Sequence, residues 1–132
     1  MNSSKMLGPL SPAFSYIRYF FTTVNLTPTK ISEGKIKVQQ IINENAVAVF
    51  SKTYCPYCTY SKDLLNELGA KFHVVELDQV ENGAAIQAAL KEINGQSTVP
   101  NIYIGQKHIG GNSDLQALKP KLPAMLAEAG AV

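Results

Sequence analysis

Two cysteines, Cys55 and Cys58, stand three positions apart with Pro56 and Tyr57 between them, and they are the only cysteines among 132 residues. Thiols at that spacing share one helical turn if a helix begins at the first of them. The unpaired N–H groups and the positive pole of the helix would then converge on Cys55. Lys52, three residues upstream, adds positive potential. Both effects favour the thiolate, the nucleophilic form of the side chain. Pro56 suits the first helical position, because it has no N–H to leave unpaired and its φ is already helical. Cys58, one turn further in, has no share of the helix start and is expected to face the core as a resolving thiol.

Two other uses of a cysteine pair fit less well. Zinc takes about four ligands, and only His73 and His108 remain to complete a set, in a strand and a hairpin far from the pair in sequence. A static disulfide across so short a ring would constrain little of the unfolded chain. Redox chemistry is the reading the pair supports, and no metal is expected.

The flanking sequence supplies the elements that would hold such a pair. Ile31, Ile36, Val38, Ile41 and Ile42 recur at helical spacing, with Ser32 as a possible cap and an end near residues 43–45. Residues 46–51, Ala-Val-Ala-Val-Phe-Ser, form an apolar run without polar alternation, the pattern of a strand covered on both faces. The cysteine turn follows, then a helix carrying Leu64, Leu65 and Leu68 and stopped by Gly69. Residues 72–77 read as a second strand, far enough away for a crossover helix and hence parallel to the first. A helix over 83–94 presents Ile86, Leu90 and Ile93 on one face and closes at Gly95. Residues 101–104 and 107–109 flank Gly105-Gln106, a two-residue hairpin turn of the glycine-first kind. Short helices over about 113–118 and 122–129 complete the order α-β-α-β-α-β-β-α-α. That order predicts an α/β fold: a small mixed sheet sandwiched by helices.

Composition agrees with one domain. The chain is 45% apolar and 17% charged with a net charge of +2, which excludes wholesale disorder and is too weakly basic for a nucleic-acid binder that works by neutralising phosphates. The basicity sits at the front: Lys5, Arg18 and Lys30 occur in residues 1–32 with no acid among them. Residues 1–30 are therefore read as a disordered extension or targeting presequence and residues 31–132 as the folded domain. Hydroxyl-rich, acid-poor and aromatic at intervals, the first segment has the composition of a mitochondrial presequence, although one arginine is few. A plain extension and a secretory signal remain open, and proline interrupts every stretch long enough to approach a membrane span. The expected location is mitochondrial, cytoplasmic or both.

Cys55-Pro56-Tyr57-Cys58, then Thr98-Val99-Pro100, then Gly110-Gly111-Asn112-Ser113-Asp114-Leu115 together closely resemble the dithiol glutaredoxins, especially the fungal type, over roughly residues 31–132. Three separated motifs in order are far more specific than one cysteine pair. The chain has no tryptophan, unlike thioredoxin with its Trp-Cys-Gly-Pro-Cys motif. The resemblance implies a thioredoxin fold with a four-stranded mixed sheet, Pro100 in cis, and glutathione as co-substrate. It further implies that Thr98 and Val99 pair with glutathione in strand fashion, that Gly111, Ser113 and Asp114 hold its γ-glutamyl end, and that Lys52 and Gln87 meet its glycyl carboxylate. Tyr57 lines the groove on this view, or is simply an exposed aromatic. One position departs from the pattern: many relatives carry Arg or Lys just before Thr-Val-Pro, and this chain carries Ser97.

The activity implied is glutathione-dependent thiol–disulfide exchange on glutathionylated and disulfide-bonded client proteins, by a monomer that needs neither nucleic acid nor membrane. Two rivals exist. Some glutaredoxins hold a [2Fe–2S] cluster between two subunits and act as carriers, a habit that proline at position 56 disfavours in the family. The other is a thioredoxin-like reductase served by a reductase enzyme instead of glutathione.

Overall fold

A computed structural model describes residues 26–132. Its elements run α1 (Pro28–Glu44), β1 (Val47–Ser51), α2 (Pro56–Glu67), β2 (His73–Glu76), α3 (Gly83–Asn94), β3 (Asn101–Ile104), β4 (Lys107–Gly110), α4 (Asn112–Ala117) and α5 (Leu122–Ala129). The strands form one sheet in the order β2-β1-β3-β4, with β1 parallel to β2 and the other neighbours antiparallel. This is the four-stranded mixed sheet of a thioredoxin fold.

Side-chain alternation along β1 divides the core between the two faces of the sheet. Ala48 and Phe50 pack with Val38, Ile42, Ile86 and Leu90 of α1 and α3. Val47 and Val49 point the other way, into Leu65, Leu115, Leu122 and Leu126 of α2, α4 and α5. Every residue of β1 is buried, as its unbroken apolar run predicts.

The α1 helix begins earlier than its apolar spacing suggests. Its cap is Thr27, not Ser32: the Thr27 hydroxyl accepts from Lys30 N–H at 3.1 Å, and Pro28 takes the first helical position. The hairpin also differs. Gly105 and Gln106 both have positive φ, 57° and 69°, where a glycine-first turn needs only the first. The reading of residues 1–30 as a leader falls almost wholly outside the described residues. Among the described residues, no helix is long and apolar enough to cross a membrane.

The topology gathers one set of loops at one end of the sheet. Phe50, near the end of β1, pairs with Asn101 at the start of antiparallel β3, and Ile102 pairs with Gly110 at the end of β4. The segment after β1, the segment before β3 and the segment after β4 therefore meet. They carry the cysteines, the Thr-Val-Pro run and the Gly-Gly turn.

Candidate active site

Cys55 is the N-cap of α2, with extended backbone, and its sulfur accepts from Cys58 N–H at 3.4 Å. The cap position follows from the sequence: Pro56 cannot donate and opens the helix, so the next orphan donors turn to the residue before it. A sulfur there sits where an N–H dipole and the helix pole converge. The turn leading to it is closed by a hydrogen bond from Cys55 N–H to Lys52 O at 3.1 Å. Both thiols are free; Cys55 is half-buried and Cys58 completely buried. Burial pushes the Cys58 thiol above its ordinary range, against opposing hydrogen bonds from the Ser51 hydroxyl and the Lys52 backbone. The two sulfurs thus differ in exposure and in hydrogen bonding.

Beside Cys55 lies an open groove of about 620 Å³. One wall is Thr98, Val99 and Pro100, and the other is Gly111, Ser113 and Asp114, with Tyr57 at the cysteine end. The Val99–Pro100 peptide is cis, as the resemblance implied. Cys55 Sγ approaches Val99 O to 3.9 Å across 44 residues of sequence. Among the described residues nothing accepts from the Val99 N–H, which leaves that backbone group for an incoming peptide-like ligand. Tyr57 is 61% exposed and meets Tyr60 edge-on at 6.1 Å.

The far wall is built on close packing. Gly111 precedes α4, and its N–H donates to Asp114 Oδ2 at 2.9 Å. Gly110 has φ of +120°, and a Cβ there would fall 2.3 Å from the same carboxylate oxygen, so only glycine lets Asp114 reach back over the turn. Asn112 fastens this wall to the cysteine helix, its Oδ1 accepting from the buried Ser61 hydroxyl at 2.9 Å.

The structure does not bring every expected residue to the groove. Lys52 and Gln87 are not part of its lining, and Gln87 instead donates through Nε2 to Ser97 O at 2.9 Å. Conversely, Gln96, unmentioned among the sequence expectations, and Asn112, quoted there without a role, both line the groove. Asp78 was missed as well: it binds the Thr53 backbone N–H at 3.0 Å through Oδ1 and the Thr53 hydroxyl through Oδ2. Among the described residues, no group of three metal-ligating side chains comes together.

Comparison with known proteins agrees with this geometry. The Glutaredoxin family model matches residues 47–109. A tomato (Solanum lycopersicum) glutaredoxin is 56% identical over 98 residues, covering 73% of this chain and 91% of the relative. Glutaredoxin-1 of Saccharomyces cerevisiae is 53% identical over 94 residues, 67% of this chain and 86% of that one. The likeness is therefore as much to plant as to fungal relatives. Among solved structures, a buckwheat glutaredoxin–glutathione complex superposes with a TM-score of 0.78 at 45% identity, covering 80% of this chain and 98% of that one. The chain belongs to the glutaredoxin family, the glutathione-dependent thiol oxidoreductases.

Proposed function

We propose that this protein reduces protein–glutathione mixed disulfides and protein disulfides, with Cys55 as nucleophile and Cys58 as resolving thiol. For a mixed disulfide, the Cys55 thiolate attacks the glutathione sulfur, the disulfide bond breaks, and the client leaves as thiolate and takes a proton. Cys55 is then glutathionylated. A second glutathione thiolate attacks that bond, restoring Cys55 and producing glutathione disulfide. For a protein disulfide, Cys55 forms a mixed disulfide with the client and Cys58 displaces it, leaving a Cys55–Cys58 bridge that two glutathione molecules reduce.

The supporting observation is the position of Cys55 Sγ at a helix start, 3.9 Å from Val99 O on the wall of the groove. Glutathione in that groove would pair its backbone with Val99 and set its sulfur near Cys55, and the similarity to a buckwheat glutaredoxin solved as a glutathione complex supports glutathione as the ligand. The γ-glutamyl end belongs beside Gly111, Ser113 and Asp114 in this reading, and Lys52 and Gln87 serve the glycyl carboxylate. The client proteins are those carrying glutathionylated or paired cysteines, and the location is mitochondrial, cytoplasmic or both, with residues 1–30 as the candidate presequence.

A glutathione-coupled assay on a small glutathione mixed disulfide tests the reading with wild type, Cys55→Ser and Cys58→Ser side by side. Turnover in wild type and Cys58→Ser but not in Cys55→Ser is the expected result. Turnover that survives in Cys55→Ser overturns the assignment of the nucleophile. A brown protein with visible absorbance and no turnover favours the cluster carrier instead.

A further inference from the structure

Gln96 lies outside the three strings on which the resemblance was read, yet its side chain is tied into the groove wall on both sides of Val99. Its Nε2 donates to Pro100 O at 2.8 Å and to Thr98 O at 3.0 Å, the carbonyls immediately after and before that residue. Its Oε1 faces His108 Nε2 at 2.9 Å. Both backbone oxygens can only accept, so they fix which end of the amide faces them. Oε1 must then accept from His108, which carries a proton on Nε2. Burial holds the His108 imidazole below its usual range, opposed by the Asp114 charge, so the neutral ring has one N–H and spends it here.

The partner residues are themselves held. The His108 ring leans on Tyr103 at 5.2 Å, and the Tyr103 hydroxyl accepts from Asn94 Nδ2 at 2.8 Å. Asn94 Oδ1 closes the circuit by accepting from the Gln96 backbone N–H at 2.8 Å. The end of α3, the β3–β4 hairpin and the loop before β3 are thereby joined through one glutamine. Nothing in this network touches Cys55.

We propose that Gln96, oriented by His108, is a positioning residue that fixes the Val99 peptide groups in the direction a glutathione backbone needs. The inference rests on the reading that glutathione pairs with Val99. A donor–acceptor pair held in place before binding spares the ligand the cost of ordering it. Loss of the clamp therefore weakens binding and leaves the chemistry at the sulfur alone.

The experiment uses the full chain and the mixed disulfide of glutathione with 2-mercaptoethanol. Gln96→Met keeps the length of the side chain and removes its donors and acceptor. It is expected to raise KM about tenfold, the effect of one or two lost hydrogen bonds, while kcat stays unchanged. The rate at which iodoacetamide alkylates Cys55 also stays unchanged, which a general loss of structure would not permit. His108→Phe keeps a ring against Tyr103 but removes the donor, and raises KM in the same direction by less. The double variant is no worse than Gln96→Met alone, because the histidine acts through the glutamine. An unaltered KM in Gln96→Met, a parallel fall in alkylation rate, or full additivity of the two substitutions each overturns the inference while the wild-type assay still upholds the proposed function. Absence of wild-type turnover is the separate failure of that function, and it takes this inference with it.

Discussion

The carboxylate of Asp78 holds Thr53 at two points, its Oδ1 accepting from the backbone N–H at 3.0 Å and its Oδ2 from the hydroxyl. Thr53 lies inside the turn that Cys55 N–H closes onto Lys52 O. A residue just past β2 thus sets the shape of the segment that delivers the nucleophile. Those hydrogen bonds from the Thr53 hydroxyl and N–H keep the Asp78 carboxyl below the usual carboxylate range. Since the folded state favours the charged form, this support is present above the pKa of about 3.9 of an unfolded aspartate and disappears as pH falls through the lower folded value. Asp78→Asn supplies one oxygen where two accepted. It is expected to lower kcat/KM about threefold to tenfold at neutral pH, the range of one hydrogen bond. Steady-state kinetics on a glutathione mixed disulfide checks it, and an unchanged value removes Asp78 from the positioning of the turn.

This pair also marks where reading the sequence stops. The cysteines, Thr98-Val99-Pro100 and the turn at Gly110-Gly111 were legible because each is a local string whose chemistry or backbone need is written in adjacent residues. The α3 helix was legible from Gly83 to Gly95 for a similar reason, its apolar period ending at a residue that adopts φ of +83°. Asp78 reaches the Thr53 backbone across 25 residues and Gln96 the His108 ring across 12, and no periodicity announces a side chain that will meet a partner so far along the chain. The start of α1 failed differently. Thr27-Pro28 is a cap followed by a first-position proline, but the apolar period begins only at Ile31 and so does not mark the first turn.

Burial of Cys58 separates the two activities by pH. Its thiol is pushed up by removal from water, so the neutral form prevails at neutral pH and must lose a proton before it can resolve a client. Reduction of a protein disulfide should therefore rise relative to reduction of a glutathione mixed disulfide as pH climbs into the alkaline range, where a thiol pushed above its ordinary value loses its proton. The stability linked to this raised value is complete below the unfolded pKa and lost as pH climbs through the folded one. Cys58→Ser should remove the pH-dependent excess together with the protein-disulfide activity. Parallel pH profiles for the two substrates would count against Cys58 as the resolving thiol.

Localisation by residues 1–30 is tested by fusing them to a fluorescent reporter. Mitochondrial import is the expected outcome, driven by a basic, acid-free segment in which Arg18 sits among aromatic residues. Arg18→Glu should abolish it. A reporter that stays in the cytosol makes the segment a plain extension, and one that enters the secretory pathway makes it a signal.

The contact between α1 and α3 depends on Gly34. A Cβ at that position would stand 2.7 Å from Ala85 O and 3.2 Å from the Ala89 Cβ, and the first of these is backbone that cannot rotate aside. Alanine improves helix propensity by about 1 kcal/mol. Forcing a methyl into a closed contact costs about 1–3 kcal/mol, so the overpacking outweighs the propensity. Gly34→Ala is expected to lower Tm by several degrees, since about 1 kcal/mol corresponds to about 4–8 °C for a domain near this size. The kcat per folded molecule should not change, because the contact lies on the face of the sheet opposite α2, whose start carries Cys55. Thermal unfolding followed by circular dichroism decides it, and a Tm equal to or above wild type shows that the helices can part without loss.

Ser97 stands where the resemblance leads one to expect Arg or Lys, and it sits against Gln87, one of the two residues proposed to receive the glycyl carboxylate. Its carbonyl accepts from Gln87 at 2.9 Å, and its own side chain is exposed. Arginine there could reach the carboxylate with a charge-assisted, two-point hydrogen bond that serine cannot make. In an exposed setting, solvent and salt reduce the gain to about 1 kcal/mol, or about a fivefold lower KM for a glutathione mixed disulfide. The kcat should not move, because the carboxylate is remote from the reacting sulfur. Salt supplies the control: the advantage of Ser97→Arg should shrink as ionic strength rises, whereas a gain from packing would persist. An unchanged KM at low salt would mean that the carboxylate is already met by Lys52 and Gln87 or lies out of reach of position 97.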